Sequence, residues 1–262
     1  MKLLRPLLRP LLRPVFGLVA SSLVLATLAA CGGSDTADRL DLANPALRLI
    51  HASPFAPNVT LTRAGVAQTD ETSVAYGFAS NYFDIDTGAT DWVVKTTAGG
   101  VALGTSMIDP LRGTKYTIVA LPTSATETGT LLFADPYNKP LASDSSRLRV
   151  VNGSYNAANI DVYMNPVPTD ITAVGVTPLI SATAFRTAGP ASNNDSVNIP
   201  GAAYQLSVTA AGTKTVLFRG TVTFTANRDV LLVTVPNAAL PTGIKVLMKI
   251  EGGAGLTELA AS

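Results

Sequence analysis

The sequence predicts an all-β protein: two tandem Ig-like β-sandwich domains behind a leader and a short tether. Three observations lead there. Only 14% of residues are charged, against a usual quarter, and the rest is rich in Ala, Thr, Val, Gly and Pro rather than long helix-formers. Several segments alternate apolar and polar residues in period two, as in Tyr204-Gln205-Leu206-Ser207-Val208 and Leu217-Phe218-Arg219-Gly220-Thr221-Val222-Thr223-Phe224, the pattern of a sheet with one wet face. The chain also repeats itself: Leu47 to Leu61 aligns without a gap, at an offset of 101, with Leu148 to Val162, and such a repeat governs how everything else is read.

In the aligned stretch Leu, Arg, Ser, Ala and Asn coincide, and the apolar strand positions exchange only among aliphatics. In the first half the patterning predicts strands at Leu47–Ala52, Val59–Arg63, Asn81–Ile85, Trp92–Thr96, Gly104–Ile108, Tyr116–Leu121 and Thr130–Phe133. In the second half it predicts them at Leu148–Asn152, Ile160–Met164, Ser196–Ile199, Tyr204–Thr209, Val216–Thr223, Val230–Val235 and Ile244–Ile250. Turns carry Gly, Asn and Pro, as in Asp86-Thr87-Gly88 and Pro200-Gly201. The first sandwich is placed at residues 46–143 and the second at 144–250, with 251–262 as a C-terminal tail. They are pictured in series.

Residues 1–30 read as a signal peptide. Lys2, Arg5, Arg9 and Arg13 form a basic start with no acid, Leu-Leu-Arg-Pro is written three times from Leu3 to Pro14, and Val15 to Leu28 is uncharged and mostly apolar. The ending Leu28-Ala29-Ala30-Cys31 resembles the lipobox of bacterial lipoproteins. That resemblance implies lipidation of Cys31, cleavage before it, and a partner in the lipid bilayer; two or three acyl chains make a durable anchor. Residues 31–45 then form the lipidated Cys and its tether, and Gly32 at the sorting position implies the outer membrane. Cys31 is the single cysteine, so the mature chain has no disulfide available.

Charge excludes one class of function. Of 19 basic residues four lie in the leader, which leaves 15 against 18 acids and a mature net charge of −3. There is no basic block, so no nucleic-acid partner is expected.

Few side chains suggest chemistry. His51 is the sole histidine, with Ser53 two residues on. A triad needs an imidazole oriented beside a nucleophile, but Asn152 takes the equivalent place in the second half, which points to hydrogen bonding at a strand end. No catalytic residue is assigned. One histidine leaves transition metals short of ligands. Asp84, Asp86 and Asp91 surround a turn and are the nearest approach to a calcium site, yet the spacing misses an EF-hand because Gly88 falls one position early; a solvated hairpin is expected, with no metal and no cofactor. Trp92, with Tyr76, Tyr82 and Phe83 nearby in sequence, and His51 are the candidate ligand contacts, a role weighed against plain core packing.

The run Arg48-Leu49-Ile50-His51-Ala52-Ser53-Pro54-Phe55-Ala56-Pro57-Asn58-Val59 resembles the opening of the DUF4397 family. Ile160-Asp161-Val162-Tyr163 keeps the family's second strand, although Asn152-Gly153-Ser154-Tyr155 departs from its first turn. The resemblance implies an exported bacterial β-sandwich module, often in tandem, and implies no activity. The expected function is that of a membrane-anchored envelope lipoprotein acting as a non-catalytic binding or structural module, with a glycan or another envelope protein as partner. The alternative is a carboxylate-dependent hydrolase acting where the two sandwiches meet.

Overall fold

The computed structural model describes residues 43–136, 144–240 and 242–262; the leader, Cys31 and the tether up to residue 42 lie outside them. Among the described residues there are strands and turns and no helix. The first half contains β1 (Ala46–His51), β2 (Val59–Arg63), β3 (Val66–Ala67), β4 (Phe83–Asp84), β5 (Thr90–Thr96), β6 (Ala102–Ile108), β7 (Thr114–Pro122) and β8 (Thr128–Pro136). The second contains β9 (Ser145–Asn152), β10 (Asn159–Asn165), β11 (Ile180–Ala184), β12 (Thr187–Gly189), β13 (Val197–Pro200), β14 (Ala203–Ala210), β15 (Val216–Thr223), β16 (Asp229–Pro236), β17 (Ile244–Ile250) and β18 (Thr257–Glu258). Every strand expected from the patterning is present. The additional ones are short pieces whose local pattern is broken: in β11 Ala182 takes a positive φ of 51° and the register against β10 slips between Ile160 and Val162, which erases the alternation a sequence reading depends on.

The strands form four sheets. The first half has an outer sheet β3-β2-β5-β6 and an inner sheet β4-β1-β7-β8. The second half has an outer sheet β11-β10-β14-β15 and an inner sheet β12-β9-β16-β17-β18, with β13 also on β9. Each inner sheet holds a parallel pair at its centre, β1 with β7 and β9 with β16. The corresponding strands of the two halves therefore stand in corresponding places. Residues 251–262 are docked: β18 pairs with β17, and the backbone N–H groups of Leu256, Leu259 and Ser262 donate to Gly77, Val246 and Arg219 carbonyls.

Period two explains the packing. Leu47 and Leu49 of β1 and Ile118 and Ala120 of β7 point into the first sandwich, beside Leu61, Trp92 and Val94 from the outer sheet. Leu148, Val150, Leu232 and Val246 do the same in the second, against Val162, Leu206 and Phe218. The intervening residues are apolar too: Ile50, Val119, Leu121, Phe133, Val151, Leu231, Val233 and Leu247 form a third cluster. A strand apolar on both faces must be covered on both. The two inner sheets accordingly pack against one another, so the halves lie face to face instead of in series, in four layers. The wet-face pattern seen in Tyr204–Val208 and Leu217–Phe224 belongs to β14 and β15, in an outer sheet.

Candidate functional site

The seam between the inner sheets is the feature the fold builds most deliberately. Following the seam-facing positions along each strand, the residues run Arg48 and Ile50 on β1, with Ala52 just past its end; Thr117, Val119, Leu121 on β7; Arg147, Arg149, Val151 on β9; and Asp229, Leu231, Val233 on β16. On the antiparallel neighbours they run Asp135, Phe133, Leu131 and Glu251, Lys249, Leu247. The seam is charged where the central strands begin and apolar towards the other end.

At the charged end the groups pair across the halves. Arg147, 4% exposed, reaches Asp135 at 2.7 Å and Asp229 at 3.8 Å. Arg149 lies 3.4 Å from Asp135, donates to Ser196 Oγ at 3.3 Å, and donates to the carbonyls of Pro190, Ala191 and Asn194. Ser196 in turn donates to the other oxygen of Asp135 at 2.9 Å. Lys115 of β7 reaches Glu251 at 3.1 Å, and Tyr82 lies under the Arg48 guanidinium and the Lys115 ammonium. Lys249, 1% exposed, donates to Ala79 O, Asn81 Oδ1 and Gly253 O. Burial, then Arg48 nearby, pulls its pKa down. Burial and the neighbouring Glu251 carboxylate push Asp229 up to about 7, against the opposing pull of Arg147. These are acids and bases holding each other inside a wall, where breaking a pair costs far more than the pair contributes.

At the opposite end of the same strands, on the faces turned into each sandwich and away from the seam, the polar groups are neutral. His51 is fully buried. Its Nδ1 accepts the Ser53 N–H at 3.4 Å and its Nε2 lies 3.2 Å from Pro57 O, which fits a neutral ring with the proton on Nε2. Burial lowers its pKa, only partly countered by the Pro57 carbonyl. Asn152 does the same work in the second half: its Oδ1 accepts the Ser154 N–H at 3.2 Å, and its Nδ2 donates to Ala157 O at 3.0 Å. It also donates to Thr183 O and accepts from Thr234. The Ser53 hydroxyl is engaged with Thr128 Oγ1 at 2.6 Å, not with the imidazole.

Trp92 is 2% exposed in the first core, 6.1 Å from the Phe83 ring and beneath the Arg63 guanidinium at 5.7 Å. Neither it nor His51 presents a surface to solvent. The three turn aspartates are not gathered: Asp84 accepts from Asn44 at 3.3 Å, Asp86 pairs with Arg63 at 2.8 Å, and Asp91 faces Met107 across β5 and β6. Among the described residues no three His, Cys, Asp or Glu side chains are placed to hold a metal ion.

Sequence reasoning passed over the seam charges. Their signal was present, since Arg147 and Arg149 flank Leu148 in an otherwise apolar strand and Arg48 coincides with Arg149 in the repeat. Charge at alternate positions of a strand apolar on its other face reads as a wet surface until a second sheet is known to cover it.

Face-to-face β-sandwiches with a buried, partly ion-paired seam define the class of protein the structure presents. Residues 45–163 match the family model described as "Domain of unknown function (DUF4397)". The match takes in the whole first sandwich and continues through β9 into β10, ending at Tyr163. No curated protein matches the chain. Among solved structures, the crystal structure of "a putative cell adhesion protein from Bacteroides uniformis ATCC 8492" is similar at 12% identity over 79% of this chain and 97% of that one. Its TM-score of 0.22 is too low to carry an argument about fold or function.

Proposed function

We propose that the protein is an envelope lipoprotein, cut before Cys31 and anchored to the outer membrane by lipid on that residue, whose body is a non-catalytic binding or structural module. One observation carries the second part. The acids that meet between the sandwiches, Asp135, Asp229 and Glu251, are each set beside Arg147, Arg149 or Lys115 in a buried wall. A carboxylate hydrolase needs two acids on either side of a bond that a substrate can bring to them, and acids held beside cations in a buried wall serve cohesion instead. The anchor rests on Leu28-Ala29-Ala30-Cys31 and on Cys31 being the single thiol. The aligned stretch 148–162 and the corresponding strand order support reading the second half as a further copy of the family's module. Two copies suit bivalent contact with a repetitive partner such as a glycan or another envelope protein.

Intact mass of the membrane-extracted protein tests the anchor: the expected species begins at Cys31 and carries acyl chains, and an uncut chain with a free thiol ends the idea. The module reading is tested with the same preparation on a glycan array and against a panel of ester, glycoside and peptide substrates. Turnover that survives purification and is lost in Asp229→Asn would replace it with the hydrolase.

A further inference from the structure

The repeat sets two arginines in the same place and treats them differently. Arg48 of β1 and Arg149 of β9 coincide in the aligned stretch. Arg149 is fully supplied: Ser196 Oγ, the carbonyls of Pro190, Ala191 and Asn194, and the Asp135 carboxylate surround its guanidinium. Those carbonyls come from the stretch between Ala188, opposite Val151, and Val197, opposite Leu148. The first half makes the same passage between Ala79, opposite Ile50, and Phe83, opposite Leu47, with only Ser80, Asn81 and Tyr82 between them. That chain is too short to wrap a side chain. Arg48 is left with a single hydrogen bond, from Nε to Thr117 Oγ1 at 3.0 Å. Among the described residues no group accepts from its Nη1 or Nη2.

Arg48 is nonetheless buried, only 6% exposed. Its guanidinium carbon lies 4.5 Å from the centre of the Tyr82 ring, whose hydroxyl shares Thr117 Oγ1 with it. Ring contact and hydrogen bond together hold the guanidinium in place. Neither Nη atom is sealed off: both keep contact with solvent, unlike a buried partnerless atom such as Arg219 Nε. Cations crowd this end of the seam. Lys115 also lies over the Tyr82 ring, and burial first, then Arg48, lower the Lys249 pKa. The acids are fewer and are engaged elsewhere, Asp135 with Arg147 and Arg149 and Glu251 with Lys115. Burial pushes Asp229 up to about 7, so near neutral pH it carries only part of a charge. A buried cation without a counter-charge is costly.

We propose that the Arg48 guanidinium, seated on Tyr82, binds a small oxyanion, a carboxylate or phosphate group, through its two Nη amino ends. With Nε used on Thr117, Nη1 and Nη2 remain as a pair of parallel donors, the geometry that grips two oxygens of one acceptor. A metal cation is excluded by the sign of Arg48, Lys115 and Lys249. A neutral hydroxyl ligand leaves the charge uncompensated. The oxyanion does for Arg48 what Asp135 and the carbonyls of Pro190, Ala191 and Asn194 do for Arg149. The inference rests neither on the anchor nor on the absence of catalysis, so it stands or falls separately from the proposed function.

The test is calorimetric titration of the full-length protein in nonionic detergent with sodium acetate and with sodium phosphate, at constant ionic strength, with sodium chloride as the reference salt. Saturable binding of one or both oxyanions with a Kd of roughly 1–10 mM is expected. Acetate alone would assign the site to carboxylates, phosphate alone to phosphates, and either result supports the proposal. Arg48→Met should weaken binding at least about tenfold while leaving the melting temperature in chloride unchanged or raised, because it removes a buried charge that has no counter-charge. Arg48→Lys keeps the charge and loses the fork; it should weaken binding by a smaller factor and guards against a folding defect in the first variant. Absence of saturable binding by the unmodified protein overturns the proposal. So does unchanged affinity in either variant, or chloride binding as tight as that of the oxyanions.

Discussion

The two ends of the seam are formed by the same strands and solve the same problem with different chemistry. Where β1, β7, β9 and β16 begin, the inner sheets are joined by ion pairs, Arg147 and Arg149 with Asp135 and Lys115 with Glu251, while Asp229 lies beside Arg147 within its own sheet. Where they end, neutral groups close each half on itself, His51 in the first and Asn152 in the second, with Leu121, Val151 and Val233 between. Apolar contact is non-directional and tolerates sliding of one sheet on another. A buried ion pair does not, because a slip leaves charges without partners. The charged end is therefore the part that fixes how the halves sit, and the apolar end supplies area.

Breaking the charged end should have the largest effect. Arg147→Met leaves Asp135 with less of its counter-charge and Asp229 without the nearer of the two cations, Arg147 and Lys115, that oppose its burial. A loss of about 3–5 kcal/mol is expected, read as a lower midpoint in urea unfolding at pH 7. A loss under half of that would mean the ion pairs are peripheral to the seam. Asn152→Ala attacks the neutral end. It strips partners from Ala157 O, Thr183 O, the Ser154 N–H and Thr234 Oγ1 at once, and about 2–3 kcal/mol is expected from unsatisfied buried groups. If it costs more than Arg147→Met in the same assay, the ranking of the two ends is reversed.

The ends also titrate in opposite directions. Asp229 has a folded pKa of about 7 against an ordinary 3.8. Between those values the folded state holds a proton the unfolded chain has released, so the stability this group confers is complete below pH 3.8 and lost as pH rises to 7. Asp229→Asn should flatten that part of the stability–pH curve, by on the order of 2 kcal/mol once pairing with Arg147 and Glu251 is shared out. An unchanged curve between pH 4 and 7 would show that Asp229 is ionised throughout.

Much of this was legible in the residues, and the boundary of legibility is physical. Strands such as Val216–Thr223 and Ile244–Ile250 were readable because alternation and β-branched composition are local properties. The repeat placed His51 and Asn152 together before any coordinate did, and their shared bonding pattern could be anticipated from the exchange. The seam was not readable, since whether Arg149 points at water or at Asp135 depends on how the sheet that carries Asp135 packs against its own. The docked tail depends likewise on contacts with Gly77 and Val246.

The smallest expected effect is the most informative about the repeat. His51→Asn places in the first half the residue that the second half already uses. The exchange is imperfect for a geometric reason: His51 reaches Pro57 O, six residues on, whereas Asn152 reaches Ala157 O, five on. The shorter amide can accept the Ser53 N–H but falls short of Pro57. A cost of about 1 kcal/mol at pH 8 is expected, less than that of His51→Ala, which loses both bonds. Because burial depresses the His51 pKa below 6.5, the native ring contributes stability above pH 6.5 that is lost as pH falls through its folded value. The asparagine variant lacks that loss, so its disadvantage should shrink on acidification. Urea midpoints at pH 8 and pH 5 measure both quantities. A gap that widens at pH 5 would mean that the imidazolium form is the one the fold holds, and that the two strand ends do different jobs after all.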